Sequence, residues 1–360
     1  MDRPQAEGAR AVSTDTLLRP AAQAVVAGRR RRSRRRVIVT AALAAGVVLV
    51  FVASLMIGQT FYGPDEVVRV LLGQTVPGAS FTVGELRLPR AVLAILAGFA
   101  FGIAGVTFQT MLRNPLASPD IIGITAGASA AAVFGIVILS LSETAVSVLA
   151  VVGGLATALA IYLLSNKGGF AGTRLILIGI GVAAMLDAAV TYVLSKAPAY
   201  DLQAAMRWLT GSLNGATWST VLPLAIASVV LVPALLAKGR DLNVLRLGDD
   251  AAASLGIRLQ GTRVVVIVAA VALLAFATAA TGPIAFVAFM AGPIAARIVG
   301  PGGSLLLPSA LVGALLVQLS DLLGQFAFDS RYPVGVVTGV LGAPFLIYLL
   351  IRTNRSGGSL

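Results

Sequence analysis

The chain has 360 residues, of which 58% are apolar and 12% charged, with a formal net charge of +12 and neither cysteine nor histidine. A soluble domain carries about 25% charged residues, so a large soluble body is excluded. Thiol chemistry, disulfides, thiolate metal sites and the commonest proton shuttle are excluded with it.

Apolar runs of about 20 residues recur, without the strict alternation that a closed barrel needs. They predict an all-α, polytopic membrane protein with ten spans. Ten of the 27 basic residues fall in the first 36 positions, and Arg29 to Arg36 is basic at seven of eight places. This run abuts the first apolar span. It therefore reads as a cytoplasmic retention signal beside anionic membrane lipid and not as a nucleic-acid patch. Residues 1–28 read as disordered, so 1–36 form a polybasic N-terminal segment. Residues 37–352 form the ten-helix membrane domain and 353–360 a cytoplasmic tail.

Span 1, at 37–57, reads as a signal anchor, because no small-residue cleavage site follows it. A polar loop with Gly63-Pro64 and Pro77-Gly78 turns leads to span 2 at 88–110, where Gly98, Gly102 and Gly105 suit close helix packing. Spans 3, 4 and 5 follow at 121–141, 146–165 and 175–195. The break between spans 4 and 5 holds Lys167, Gly168, Gly169 and Gly172. Residues 196–216 contain a short helix, Asp201 to Leu209, ended by Gly211. Span 6 is 217–237, span 7 is 263–281, and span 8 is 283–299, short and interrupted by glycine and proline. Spans 9 and 10 are 305–325 and 334–351. With the N-terminus inside, inner loops and tail hold 11 basic residues and outer loops 6, before the N-terminal ten are counted. The asymmetry predicts that both termini are cytoplasmic. Pro119-Asp-Ile-Ile-Gly123 before span 3 and Pro333-Val-Gly335 before span 10 hint at an inverted repeat.

The polar break between spans 6 and 7 holds Gly248-Asp-Asp-Ala-Ala-Ala-Ser-Leu-Gly256. Asp249 and Asp250 suit the positive end of a short helix, and Ala251, Ala252 and Ala253 favour one. Nine residues give a rod of roughly 13 Å, too short to span a bilayer. It reads either as a partner-docking element at the membrane face or as an ordinary surface turn. No G-x-x-x-x-G-K-[ST] occurs, so nucleotide hydrolysis by that route is excluded. Inside the spans the acids are Asp187 and Asp321. Each reads as a functional intramembrane acid or as a structural hydrogen bond to a neighbouring helix, and neither has an obvious basic partner.

Several segments, in order and covering about 58–351, resemble one permease family. They are Arg87-Leu-Pro-Arg90, Gln109, Asn114-Pro-Leu-Ala117, Gly123 with Gly127-Ala128, and Trp208-Leu-Thr-Gly211-Ser212. Leu247 to Gly256, Gly282-Pro-Ile-Ala-Phe286, Asp321 and Tyr332-Pro-Val-Gly335 through Pro344 complete the set. The family is the FecCD/BtuC type, which imports iron–siderophore chelates, haem or cobalamin with an ATP-binding cassette.

The resemblance implies a role for each position. Leu247, Gly248, Asp249, Asp250, Ala251, Ala252, Ser254, Leu255 and Gly256 resemble the coupling helix that docks on an ATPase subunit. Moving an equilibrium from 1:99 to 99:1 takes about 5.5 kcal/mol of differential binding, which a gripped rigid helix can transmit. Arg87 and Arg90 resemble the docking site for acidic residues of an extracytoplasmic binding protein. Arg331 stands in for an arginine that the family often has where this chain has Gln325. The break 168–173, with Gly172 and Thr173, resembles part of a cytoplasmic gate. Trp208 reads as an interfacial anchor and Asn114-Pro115 as a structural reversal.

Many members read Pro-His-x-x-Arg in span 8, whereas this chain has Ala291-Gly-Pro-Ile-Ala-Ala-Arg297. The divergence favours a heterodimer with a second permease subunit over a homodimer. The implied protein is a non-enzymatic permease with no cofactor of its own, ATP and magnesium being on the partner ATPase. Its implied cargo is a ferric siderophore, with cobalamin or haem as alternatives. The rivals are an ion-coupled secondary carrier using Asp187 or Asp321, and a non-transport scaffold.

Overall fold

The computed structural model describes residues 14–119, 123–165, 172–300 and 302–355. Its helices are α1 Thr14–Met56, α2 Pro64–Leu71, α3 Leu88–Met111, α4 Ile124–Val137, α5 Glu143–Ser165, α6 Gly172–Lys196 and α7 Ala199–Leu209. They continue with α8 Trp218–Ala237, α9 Gly239–Leu245, α10 Asp249–Ser254, α11 Leu259–Thr281, α12 Val287–Val299, α13 Leu306–Phe326 and α14 Val334–Arg355. A π-helical turn, Ser80–Arg87, runs straight into α3.

Among the described residues, ten apolar helices match the ten expected spans. Eight are long and apolar enough to cross a membrane, while α4 and α12 have only 14 and 13 residues. Each short helix is the third of its set of five. The packing repeats with the same exchange: α3 lies on α12 and α13, and α11 on α4 and α5. Five spans per set is an odd number, so the second set runs opposite to the first. The two proline–glycine segments suggested by the sequence are not the equivalent positions. They precede α4 and α14, whereas the packing pairs α4 with α12.

The core is built around α3. Gly98 and Gly102 lie against Gly313 and Ser309 of α13, and Gly105 lies against Ala288 of α12. A methyl group on any of the three would overlap a carbonyl oxygen of the neighbouring helix. The glycine stripe therefore sets the helix separation. Pro293 sits inside α12 and has no N–H to offer the Phe289 carbonyl one turn earlier. Gln109 of α3 supplies the missing donor, its Nε2 lying 3.0 Å from that oxygen. The side chain satisfies a backbone group that lipid could not.

Two stretches depart from the expected coil. Residues 14–28, expected to be disordered, begin α1, a 43-residue helix continuous with the first span. Leu17, Leu18, Ala21, Ala22, Gln23 and Ala24 are good helix formers, and propagation from a preformed span avoids the nucleation cost. The 58–87 loop holds α2 and the π-helical turn. Arg87 at its end donates to the carbonyls of Leu55 and Met56, both at 2.9 Å, and of Thr60 at 2.6 Å. Its guanidinium also lies 5.1 Å from the centre of the Tyr62 ring. The last carbonyls of a helix have no partner within it and carry its negative pole, so Arg87 caps α1 from the side.

Candidate functional site

The polar break between α8 and α11 forms two short helices. The second is the six-residue α10, shorter than the nine-residue rod expected from sequence, because Gly248 and Gly256 adopt φ of 111° and 82° on either side of it. Those values lie in the region that favours glycine, so the chain turns sharply into and out of α10.

One carboxylate holds this element. Arg263, near the start of α11, donates Nη2 to Asp249 Oδ2 at 2.7 Å. Arg113, just past α3, pairs with Asp249 Oδ1 and donates Nε to the Leu245 carbonyl of α9 at 3.0 Å. The Arg263 hydrogen bond first, and the nearby guanidinium charges with it, hold the Asp249 carboxyl below the usual carboxylate range. Asp249 therefore fastens α10 to α3 and α11 together, the central helices of the two sets. Upstream, Asp241 accepts from Lys238 at 3.0 Å and from Thr262 at 3.2 Å.

The remainder of the element divides between the protein interior and the outside. Ala252 is fully buried, and Ala251 is half-buried. Asp250, Ser254 and Gly256 are exposed, while Leu247 and Leu255 are 66% and 64% exposed. Two bare leucines flanking a firmly seated helix form a small apolar grip suited to a protein groove. The sequence placed the element, but its division of labour needs the fold: Asp249 turns to Arg113 and Arg263, and the leucines face outward.

On the opposite face Arg90 is engaged within the chain. It pairs with Asp321 through Nε to Oδ2 at 2.9 Å and Nη2 to Oδ1 at 2.7 Å, and its Nη1 donates to Asn214 Oδ1 at 2.7 Å. Gln325 donates to the same carboxylate at 2.7 Å. Asp321, which has no evident basic partner in the sequence, is thus clamped between α3 and α13. Arg87 is spent on the end of α1, so neither arginine presents a bare guanidinium, whereas Arg331 is exposed.

Beside this cluster three scattered sequence motifs converge. Ser212 N–H donates to the Thr281 carbonyl at 2.7 Å, and Gly335 N–H to the Gly211 carbonyl at 3.1 Å. Gly211 and Gly282, both with φ of 69°, press against the carbonyls of Pro283 and Trp208.

Asp187 lies on an exposed face of α6 with Met185 and Tyr192, and Thr191 donates to its backbone carbonyl at 2.8 Å. Gly172 and Thr173 start α6, with Gly172 beside Leu112 and Thr173 exposed. The rest of the expected gate loop, 168–171, lies outside the described residues. Asn114 accepts from the Leu116 N–H at 2.9 Å, the local turn expected of it.

The sequence pattern of the FecCD transport family matches residues 46–352. The chain is 42% identical over 313 residues to the achromobactin transport system permease protein of Dickeya dadantii, covering 86% of this chain and 90% of that one. It is 41% identical to the ferric enterobactin transport system permease protein of Escherichia coli, covering 81% and 88%. It is also 37% identical to the iron(3+)-hydroxamate import system permease protein of Bacillus subtilis, covering 86% and 95%. Among solved structures, a metal-chelate type ABC transporter in an inward-facing conformation aligns with a TM-score of 0.79 at 27% identity. That alignment covers 87% of this chain and 98% of the other. Their agreement with the ten-helix fold makes this chain a multi-pass membrane protein of the FecCD transport family.

Proposed function

We propose that this chain is a permease subunit of an ATP-binding-cassette importer for a ferric siderophore. ATP hydrolysis takes place on separate ATPase subunits that grip α10 from the cytoplasm. Both termini lie on that side, as the distribution of arginine and lysine supports. An extracytoplasmic binding protein delivers the chelate to the opposite face, where Arg331 is open to it and Arg87 and Arg90 shape the mouth. The chelate passes at the interface with a second permease subunit, and the missing histidine in α12 favours a heterodimer. Asp187, exposed on a membrane-spanning helix of the single chain, faces that subunit or the passage, since a carboxylate in lipid is costly.

The observation that carries the reading is the seating of α10. Asp249 ties it to both central helices while Leu247 and Leu255 stand bare, so a pull on α10 reaches α3 and α11 together. The relatives named for achromobactin, enterobactin and hydroxamate transport support the substrate class. The rival secondary carrier loses force at Asp321, because both oxygens of that carboxylate are already engaged by Arg90 and Gln325.

The test is co-purification with candidate ATPase subunits, wild type against Leu255→Asp. Capture of an ATPase that the variant loses supports the reading, and uptake assays with siderophore, cobalamin and haem then fix the cargo. Uptake that persists without any ATPase and collapses with a proton uncoupler refutes it in favour of an ion-coupled carrier.

A further inference from the structure

A second cluster lies at the ends of α12 and α14, on the face that carries α10. An aromatic ladder leads to it. Phe286 and Phe289 stand 6.3 Å apart, Phe289 and Phe345 6.4 Å, and Phe345 and Tyr348 6.2 Å between ring centres. At its foot Arg297 of α12 lies over the Tyr348 ring, 5.0 Å from its centre, and donates to the phenol oxygen. Arg352, one turn further along α14, donates to the same oxygen at 3.1 Å. Two cations thus converge on one uncharged atom. With its oxygen accepting from both guanidinium groups, the phenol has its own O–H left to donate.

The charged side chains described immediately around this cluster are basic. Arg35 donates to the Ile298 carbonyl at 3.2 Å, next to Arg297, and Arg36 donates to the carbonyls of Gly302 and Ser304. These bonds pin the basic end of α1 to the turn after α12. Because α1 is one continuous helix, Arg29, Arg30, Arg31, Arg32 and Arg34 continue outward from it, all exposed. The described acids in the neighbouring loops, Asp241, Asp249 and Asp250, belong to α9 and α10, and two of them are already engaged there.

We infer that Arg297, Tyr348 and Arg352 form a binding site for the phosphate of an anionic phospholipid headgroup, with the basic end of α1 as its flanking field. A phosphodiester carries one negative charge and oxygens that accept from guanidinium N–H and phenol O–H together. The side chains on the bilayer side are apolar and exposed: Leu341 and Ile347 on α14, and Val37 and Ile38 on α1. Cations at one level and bare aliphatic chains above them reproduce the order of a lipid, headgroup then tail. A soluble anion would not need the second part.

The experiment is native mass spectrometry of the purified chain, without ATPase or chelate, against phosphatidylglycerol and phosphatidylcholine. Wild type retains phosphatidylglycerol in preference to phosphatidylcholine. Each arginine removed, as Arg297→Gln or Arg352→Gln, lowers that retention about fivefold. Tyr348→Phe keeps the ring and drops the O–H, and it lowers retention on its own with no change in gel-filtration profile. It therefore reports on the site even where an arginine variant is not recovered. Equal retention of the two lipids, or phosphatidylglycerol binding unchanged in Tyr348→Phe and Arg297→Gln, overturns the inference. Displacement of the lipid by inorganic phosphate at equal concentration overturns it too. Since the readout involves no transport, it stands or falls separately from the importer reading.

Discussion

Arg90 holds Asp321 by both carboxylate oxygens across 231 positions of sequence, and Gln325 and Asn214 complete the cluster. The Asp321 side chain is 9% exposed and that of Arg90 21%. Removing one partner therefore strands a charge that has already lost most of its water. Arg90→Ala is expected to cost about 3 kcal/mol, while Arg90→Met combined with Asp321→Leu costs much less, because no orphan charge remains. Thermal unfolding of the two variants in the same detergent checks this. Equal losses would show that the cluster acts by shape and not by charge.

Gln109 and Pro293 form a second coupled pair, in which one side chain repairs what the other removes. Gln109→Leu leaves the Phe289 carbonyl buried without a donor, at an expected cost of roughly 1–3 kcal/mol. In a Pro293→Ala background the helix supplies its own N–H, so the same substitution becomes nearly neutral. A double-mutant cycle by thermal unfolding measures the difference, and additive losses would break the link.

Gly98 lies about two turns below Arg90 on the face of α3 that meets Gly313 of α13. Gly98→Ala puts a methyl group into a backbone carbonyl, and α3 relieves it only by moving off α13. That movement also lengthens the Arg90–Asp321 pair. The expected loss is roughly 1–3 kcal/mol, less than additive with Arg90→Ala, since the pair is already weakened. Unfolding of the single and double variants distinguishes this from an independent local clash.

The sequence resolved what is local or periodic. Apolar runs located ten helices, glycines three and four apart marked the packing face of α3, and flanking glycines marked α10. It missed what depends on which helices become neighbours. Asp321 lacked a partner until α3 and α13 came together, and Arg87 could not be read as the cap of α1 because the π-helical turn carries it back 32 positions. The turn of Asp249 to Arg113 was hidden for the same reason: Arg113 lies 136 positions away. The extension of α1 through its arginines was masked by composition, which reads the same in coil and in a helix propagated from a membrane span.

Asp249 makes the seating of α10 sensitive to pH in one direction only. The Arg263 hydrogen bond and the surrounding guanidinium charges depress its folded pKa, whereas the unfolded carboxyl titrates near 3.9. The stabilisation is therefore fully present above about pH 5, and it drains away as acid takes the carboxyl through its folded pKa. Asp249→Asn cannot carry the charge at any pH. The melting temperature of wild type is expected to exceed that of the variant by a constant margin from pH 5 to 8, and the two curves should close below about pH 4. The side chain is 41% exposed, so the margin is small and shrinks with added salt. Hydrogen exchange confined to 245–256 should show the same closure, locating the effect in α10. Curves that converge near neutrality, or separate further in acid, would mean that another group governs the element and that Asp249 does not fasten it.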